Sequence, residues 1–452
     1  MTPTPEGPVL PPGPAGPVDM ERMRRDPLAF VTEMARRYGD ITRHVSDGEP
    51  VVMLNRPDLA RHVLKDNFAN YTKVNTPDDH MLRPLLGNGL LTSDGEEWAR
   101  QRKLCAPAFR RSEVSSFDGI ITEETAGLLE RWQQAMGDGA PVSVDHHLTS
   151  LTLSILTRAV LGVDLGAAGE GFGRSVDAVN RFMGHYVPDP DPDPADTALR
   201  RQGYVQARAF LHTVSRTVIA ARRTTMGGAD PHAPQPGGKS TGALLDSMLD
   251  ELSDTDLRDQ VLTLIMAGHE TTAKALAWTL YLLDQHPDEA ATVREEVDRV
   301  LGGRVPTAAD LADLPRCRQA VEEAMRLYPP VWLISRRATG PDTIEGYDIP
   351  AGTLVCVSQW VLHRHPDYWD RPDAYVPGRF DGPDLPSHLY LPFGGGERTC
   401  IGMHLALIEA VLVLAMLTQA VRLEVEPGFT VEPEALVTLR PKHGMRMKVS
   451  AR

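Results

Sequence analysis

Residues Pro392–Gly402 read PFGGGERTCIG, crowding four glycines, an arginine and a cysteine into one short stretch. Gly394, Gly395 and Gly396 permit positive φ and close backbone approach, so a tight turn here can press against something flat. The following run, IGMHLALIEAVLVLAMLTQAV, is apolar nearly all round, the pattern of a buried helix. Its borderline length and Glu409 favour a core helix over a membrane span. A cysteine at the N-terminus of such a helix feels the positive end of the dipole and unpaired N–H groups, which stabilise thiolate. A thiolate so placed calls for an electrophile or a metal. Service as a nucleophile would need a base held by a third group; His404 is close in sequence, but no orienting partner is evident. The bland alternative is a buried, inert cysteine, which leaves the glycines beside it without a purpose.

At 452 residues the chain is long for one core, although some enzyme folds build a large body around a buried cofactor. A hydrophobic share of 42% with 24% charged residues is globular in character. The net charge of -14 argues against a nucleic-acid surface, because phosphate binding rests on clustered Lys and Arg. Cys105, Cys317, Cys356 and Cys400 are scattered, with no CxxC pair, so neither a disulfide framework nor a structural zinc is expected. The opening MTPTPEGPVLPPGPAGPVDM lacks the basic and apolar regions of a signal peptide, and a cytoplasmic protein without a membrane anchor is expected.

Composition and period divide the chain into a Pro-rich arm, residues 1–18, and one large domain, residues 19–452. Leu28, Phe30, Val31, Met34 and Ala35 recur at helical spacing, and ITRHVSDGEPVVMLN alternates around a Gly-containing turn, predicting a hairpin. Helical periodicity dominates from Pro57 onward. Proline-rich stretches at Val187–Asp196 and Thr224–Gly242 read as loops, and TIEGYDIPAGTLVCVS as a second small strand unit. The predicted class is therefore mainly α with small β-sheets, an α+β fold. No repeated strand–helix alternation suggests a Rossmann domain.

Three further stretches carry chemistry. Trp98 and Arg102 are four apart, so on a helix they share a face and could offer one anion a ring N–H and a guanidinium. In SDTDLRDQVLTLIMAGHETTAKALAWTLYLL, Ser253 and Asp256 resemble a capping box at the start of a long apolar-faced helix. Its centre breaks the pattern: Gly268 weakens the helix, and Glu270, Thr271 and Thr272 put polar groups where a buried helix needs apolar ones. The Thr271 hydroxyl can bond the Ala267 carbonyl and open the helix locally, a device frequent at functional sites; the alternative is a solvent-facing polar turn. In VEEAMRLYPPVWLISRRA, Glu323 and Arg326 have ion-pair spacing and the two prolines end the helix. Alone that pair would be a surface salt bridge, with Arg379 a possible third member.

Together these residues resemble the cytochrome P450 family of haem-thiolate monooxygenases. FxxGxRxCxG is matched in full by Phe393, Gly396, Arg398, Cys400 and Gly402. WxxxR at Trp98 to Arg102, AGxET at Ala267 to Thr271 and ExxR at Glu323 to Arg326 lie in the family's order. The resemblance implies a cytochrome P450 fold enclosing haem b, with Cys400 the axial iron ligand and Phe393 and Gly402 packed on the proximal face. It implies Trp98, Arg102, Arg336 and Arg398 on the propionates, Arg336 being chosen over Arg337, and Ala267 beside the haem. Many soluble bacterial members carry His at the Arg398 position, so Arg there looks like another branch. Glu323, Arg326 and Arg379 would form the buried ion-pair triad of the core. Glu270 and Thr271 would deliver protons on the side where O2 binds.

The resemblance further implies electrons from a separate ferredoxin and an NAD(P)H-dependent ferredoxin reductase, since no dinucleotide fingerprint is present. Arg100, Lys103, Arg110 and Arg111 would dock the ferredoxin. A monomer is expected. Pocket contacts would come from Met81, Leu82, Leu85, Met183, Tyr186, Leu264, Val331, Trp332, Leu333, Ile334, Leu436 and Val437, mostly apolar and suited to a lipophilic molecule. Hydroxylation or epoxidation of a secondary metabolite such as a terpenoid, macrolactam or polyketide is the leading expectation. Fatty-acid hydroxylation and peroxide-driven turnover are the alternatives, and a haem-thiolate sensor is disfavoured by the Glu270–Thr271 pair.

Overall fold

The computed structural model describes residues 9–138, 140–166, 171–184, 194–228, 242–382 and 385–452. Its contacts fall into two compact units. The first comprises the described parts of residues 1–82, 331–374 and 384–400; the second, those of 83–330, 375–383 and 401–452.

A five-stranded sheet organises the first unit. Its strands are β1 (Ile41–Ser46), β2 (Glu49–Leu54), β3 (Tyr71–Thr72), β4 (Ile334–Ala338) and β5 (Leu354–Val357), in the spatial order β1-β2-β5-β4-β3. The predicted hairpin is present, with Ile41 opposite Leu54 and a turn whose two central residues, Asp47 and Gly48, both have positive φ. That two-residue turn matches the twist of its strands. β2 pairs in parallel with β5, and the remaining neighbours are antiparallel. One face buries Val51, Met53, Leu354 and Cys356 against Val31 of the helix Pro27–Tyr38. The described part of the Pro-rich arm is tied to this unit: Arg43 donates to the carbonyls of Pro12 and Pro11, and Asp348 to that of Val9.

Helices dominate the second unit. Those that matter for the site are α1 (Gly95–Cys105), α2 (Val144–Ala159), α3 (Phe172–Gly184), α4 (Asp254–Gln285), α5 (Pro315–Leu327) and α6 (Met403–Ala420). Ser253 caps α4, its hydroxyl accepting from the Asp256 N–H at 3.2 Å, as its sequence predicts. α4 packs along α2 at a close crossing. A Cβ on Gly268 would stand 3.0 Å from Leu156, and Thr152 donates to the His269 carbonyl at 2.8 Å. α5 begins with Pro315, and its next N–H groups, Arg316 and Cys317, are taken by the Glu296 carboxylate at 2.9 and 3.0 Å. Among the described residues only α6 is long and apolar enough to cross a membrane; most of it is buried inside its unit. β6 (Pro433–Ala435) and β7 (Leu439–Pro441) form a hairpin, and Val142–Ser143, Val421–Val425 and Arg446–Ala451 a three-stranded sheet.

Three expectations change. The helix Pro194–Gly228 takes in the last residues of one predicted loop and the first of the other, proline being tolerated at a helix's first turn, where its missing N–H has no partner to lose. Residues 187–193 and 229–241 of those loops lie outside the described residues. α4 runs unbroken through Gly268 to Gln285 rather than opening, because the close packing on α2 keeps that stretch helical.

Asp342, the first residue of a two-stranded hairpin (Asp342–Ile344 with Tyr347–Ile349) in the first unit, supplies a testable electrostatic link. Tyr71 and Asn67 donate to its Oδ2 at 2.7 and 3.0 Å, and His62 Nε2 lies 2.8 Å from the same oxygen. Burial pulls this carboxyl up, but the bonds from Tyr71, His62, the Thr343 N–H and Asn67 outweigh it and hold it below its ordinary value. Because the folded value is depressed, the stabilisation is present above the unfolded value of about 4 and is lost as pH falls through the folded one. Asp342→Asn should therefore lower stability by about 1.5–3 kcal/mol at neutral pH. In urea titrations the gap to wild type should narrow in acid; a gap independent of pH would contradict the assignment.

Candidate functional site

The Cys400 loop is fixed by short-range backbone constraints within the first unit. Gly394 and Gly396 have φ of 69° and 68°. The Gly394 N–H reaches the Leu391 carbonyl, the Thr399 N–H the Gly396 carbonyl, and the Cys400 N–H the Phe393 carbonyl at 2.8 Å. His363, fully buried, accepts the Leu391 N–H through Nε2 at 2.8 Å. The glycines also have a reason within the chain itself. A Cβ on Gly396 would lie 1.7 Å from the Leu64 carbonyl oxygen, and one on Gly395 2.9 Å from His388, so both permit a close approach of chain to chain.

Of the four cysteines, only Cys400 is exposed. Burial drives the Cys105 thiol up to about 12, and lifts the Cys317 and Cys356 thiols as well, so those three stay protonated. α6 starts at Met403 with Gly402 as its N-cap residue, which puts Cys400 two residues ahead of the cap rather than in the first turn. His404 is exposed.

Cations gather in the same unit. Arg336 is 6% exposed, while Arg337 is occupied by the carbonyls of Asn75 and Gly352 and by Glu49. Lys73, which no motif marked, lies near both Arg336 and Arg398. Burial, then Arg336, push its ammonium down to about 7, with Arg398 adding to the effect and Asp78 and Asp79 opposing it. Arg336 and Arg398, with a Lys73 that is protonated only in part at neutral pH, suit a negatively charged ligand. Phe393 is half-buried.

In the second unit Trp98 and Arg102, both half-buried, lie on α1 at the expected four-residue spacing. α4 carries an open turn. From Asp259 to Leu280 every residue is buried except Met266, Ala267, Gly268 and Thr271, and the Thr271 hydroxyl donates to the Ala267 carbonyl at 3.0 Å. Glu270 does not share this exposure. It is 4% exposed, and its Oε1 accepts from Asn180 Nδ2 at 2.7 Å and from the Thr438 hydroxyl at 3.0 Å. Neither partner was signalled by the sequence.

Glu323, Arg326 and Arg379 meet. Arg326, fully buried, donates to both Glu323 oxygens at 2.7 and 2.8 Å, and Arg379 Nε and the Val376 N–H reach Oε1 at 2.9 and 2.8 Å. The expected pocket positions divide. Leu85, Met183 and Leu264 are buried. Trp332 and Leu333 lean on the Val31–Met53 cluster. Met81, Leu82, Val331, Ile334, Leu436 and Val437 are partly exposed, and Tyr186 lies outside the described residues.

The cytochrome P450 family model matches residues 11–448. Cyclooctatin synthase of Streptomyces melanosporofaciens is 32% identical over 431 residues, covering 92% of this chain and 90% of its own. Putative cytochrome P450 132 of Mycobacterium bovis is 31% identical over 429 residues, covering 91% and 90%. Protein LUTEIN DEFICIENT 5 of Arabidopsis thaliana, a chloroplastic protein, is 30% identical over 440 residues, covering 93% and 73%. The chain belongs to the cytochrome P450 family. It is an oxidoreductase of the monooxygenase type, whose cofactor is a cysteine-ligated haem that uses O2. The residues fit that cofactor: one exposed cysteine for the iron, and a cation group suited to its carboxylates.

Glu323→Ala would leave Arg326 charged and buried, a loss of about 3–5 kcal/mol. The expected outcome is a large drop in melting temperature and in haem-loaded yield. A variant as stable and as fully loaded as wild type would show the triad to be dispensable.

Proposed function

We propose that this chain inserts one oxygen atom, by hydroxylation or epoxidation, into a lipophilic secondary metabolite, with a terpenoid the leading substrate class. The accessible turn on α4 is the observation that carries this reading: Ala267 is exposed and Thr271 half-buried in a helix that, Met266 and Gly268 apart, is otherwise buried for about six turns. The names of two relatives, cyclooctatin synthase and LUTEIN DEFICIENT 5, point the same way, toward terpenoid chemistry. Cys400 would ligate the iron, and Lys73, Trp98, Arg102, Arg336 and Arg398 would hold the haem carboxylates. The bound haem supplies the activation of O2 and transfer of one of its atoms.

The protein's task is to hold the substrate and to bring protons without flooding the site. Thr271 meets the second need in part. Its hydroxyl, satisfied as a donor by Ala267, keeps its lone pairs as acceptors for water, so it can fix a water molecule at the open turn. Glu270, buried on the preceding residue, is the acid that exchanges protons with that position. Electrons would come from a ferredoxin and its reductase. Lys103, Arg110 and Arg111 are exposed and suited to an acidic partner, whereas Arg100 is paired with Glu97 at 2.8 Å. A cytoplasmic monomer fits this scheme.

The test uses β-ionone as an isoprenoid probe, with ferredoxin, reductase and labelled dioxygen. The product should carry one labelled oxygen, and Thr271→Ala should divert most reducing equivalents into peroxide. Unchanged coupling in that variant would count against the relay. Faster turnover with hydrogen peroxide alone would replace the monooxygenase reading with a peroxygenase.

A further inference from the structure

Gln359, in the first unit, is a buried amide that the site description leaves unused. It is fully buried, and among the described residues it is the one buried side-chain amide with neither atom bonded: Nε2 and Oε1 both lack a partner. An amide taken from water and left unpaired costs free energy twice, once for its donor and once for its acceptor. An orphan of this kind asks what supplies its hydrogen bonds.

Strand geometry shows which side it lies on. Ile334 stands opposite Val357 and Arg336 opposite Val355, and opposed residues share a face. These four therefore point away from Leu354 and Cys356, which pack with Val31. Ser358 keeps extended backbone, with φ of -95° and ψ of 108°, so the alternation carries one step further and Gln359 leaves the chain on the Val357 side. β3 adds to the same face: Thr72 is opposite Arg337, and the register continued by one residue sets Lys73 opposite Arg336. The Cys400 loop meets this face as well, since Ile334 Cδ1 lies 3.7 Å from where a Cβ on Gly394 would stand. Gln359 also opens the helical turn that ends at His363. The His363 N–H reaches the Gln359 carbonyl at 2.9 Å, and its ring holds the Leu391 N–H of the loop. The unpaired amide thus shares a sheet face with Arg336 and Lys73, beside the segment that presents the cysteine.

We propose that Gln359 is a cofactor-binding residue, its Nε2 donating to the haem carboxylate that Arg336 takes. An ionised carboxylate has about four lone-pair sites, more than one guanidinium fork fills. A neutral amide adds a donor there without adding to the charge already gathered in Arg336, Lys73 and Arg398. Oε1 then accepts from a water molecule bound at the same carboxylate. The inference rests on the reading of Arg336 as a holder of that carboxylate.

The experiment is resonance Raman spectroscopy of the haem-loaded ferric protein without substrate, comparing wild type with Gln359→Leu, Gln359→Met and Arg336→Lys. Haem release to excess apomyoglobin is measured on the same samples. Gln359→Leu should shift a haem-carboxylate bending band and release haem roughly 10- to 100-fold faster, the worth of one hydrogen bond to a charged group. An unchanged band would overturn the proposal whether or not release changes. A raised melting temperature beside it would identify an amide that no ligand uses, for which an apolar side chain of similar size is the better core residue. Where Gln359→Leu does not load haem, Gln359→Met, unbranched and close in length, is read in the same way. Arg336→Lys separates the two readings. A shift there with none in the Gln359 variants removes Gln359 and leaves Arg336 on the carboxylate; the reverse outcome removes Arg336 and keeps the amide.

Discussion

The contact of Gly396 with the Leu64 carbonyl is the constraint on which the Cys400 loop depends. No side chain fits there, and the positive φ that the turn needs is one that L-residues rarely adopt, so space and conformation both demand glycine. Once Gly396 is seated, the hydrogen bond between Cys400 and Phe393 closes the loop and leaves the thiol at an exposed position. The other three cysteines are shut away as neutral thiols. Selection of one sulfur from four thus follows from burial and backbone geometry.

Buried charge is used in two ways. Glu323 is saturated: two bonds from Arg326, one from Arg379 and one from the Val376 N–H leave its carboxylate fully occupied and tie α5 to the chain around Arg379. Such a carboxylate fixes position. Among the described residues Glu270 has two donors, both neutral and both on one oxygen. The difference between the two acids is in their donors rather than in their depth, since both are buried.

What the sequence disclosed was local. The Asp47–Gly48 turn, the Ser253 cap, the end of α5 at two prolines and the bond from Thr271 to Ala267 all depend on residues within a turn or so of each other, where spacing speaks directly. Family order then joined Glu323 to Arg379 and singled out Cys400. Lys73, Asn180 and Thr438 had no such signal. Tertiary packing brings Lys73 near Arg336 and Arg398, and separately brings Asn180 and Thr438 onto Glu270, from segments whose own sequence looks like ordinary loop, amphipathic helix and short strand. The glycines show a related case: their number is a sign of close approach, and at Gly396 and Gly395 the chain itself, at Leu64 and His388, is one surface they approach.

The central claim is that Cys400, as thiolate, is the axial ligand of the haem. Reduced protein exposed to carbon monoxide tests it most directly. The account predicts the strongly red-shifted Soret band of thiolate ligation in the wild type and its absence in Cys400→Ser, with a normal circular dichroism spectrum in both. A globin-like band in the wild type, or an unchanged thiolate band in the variant, would contradict it.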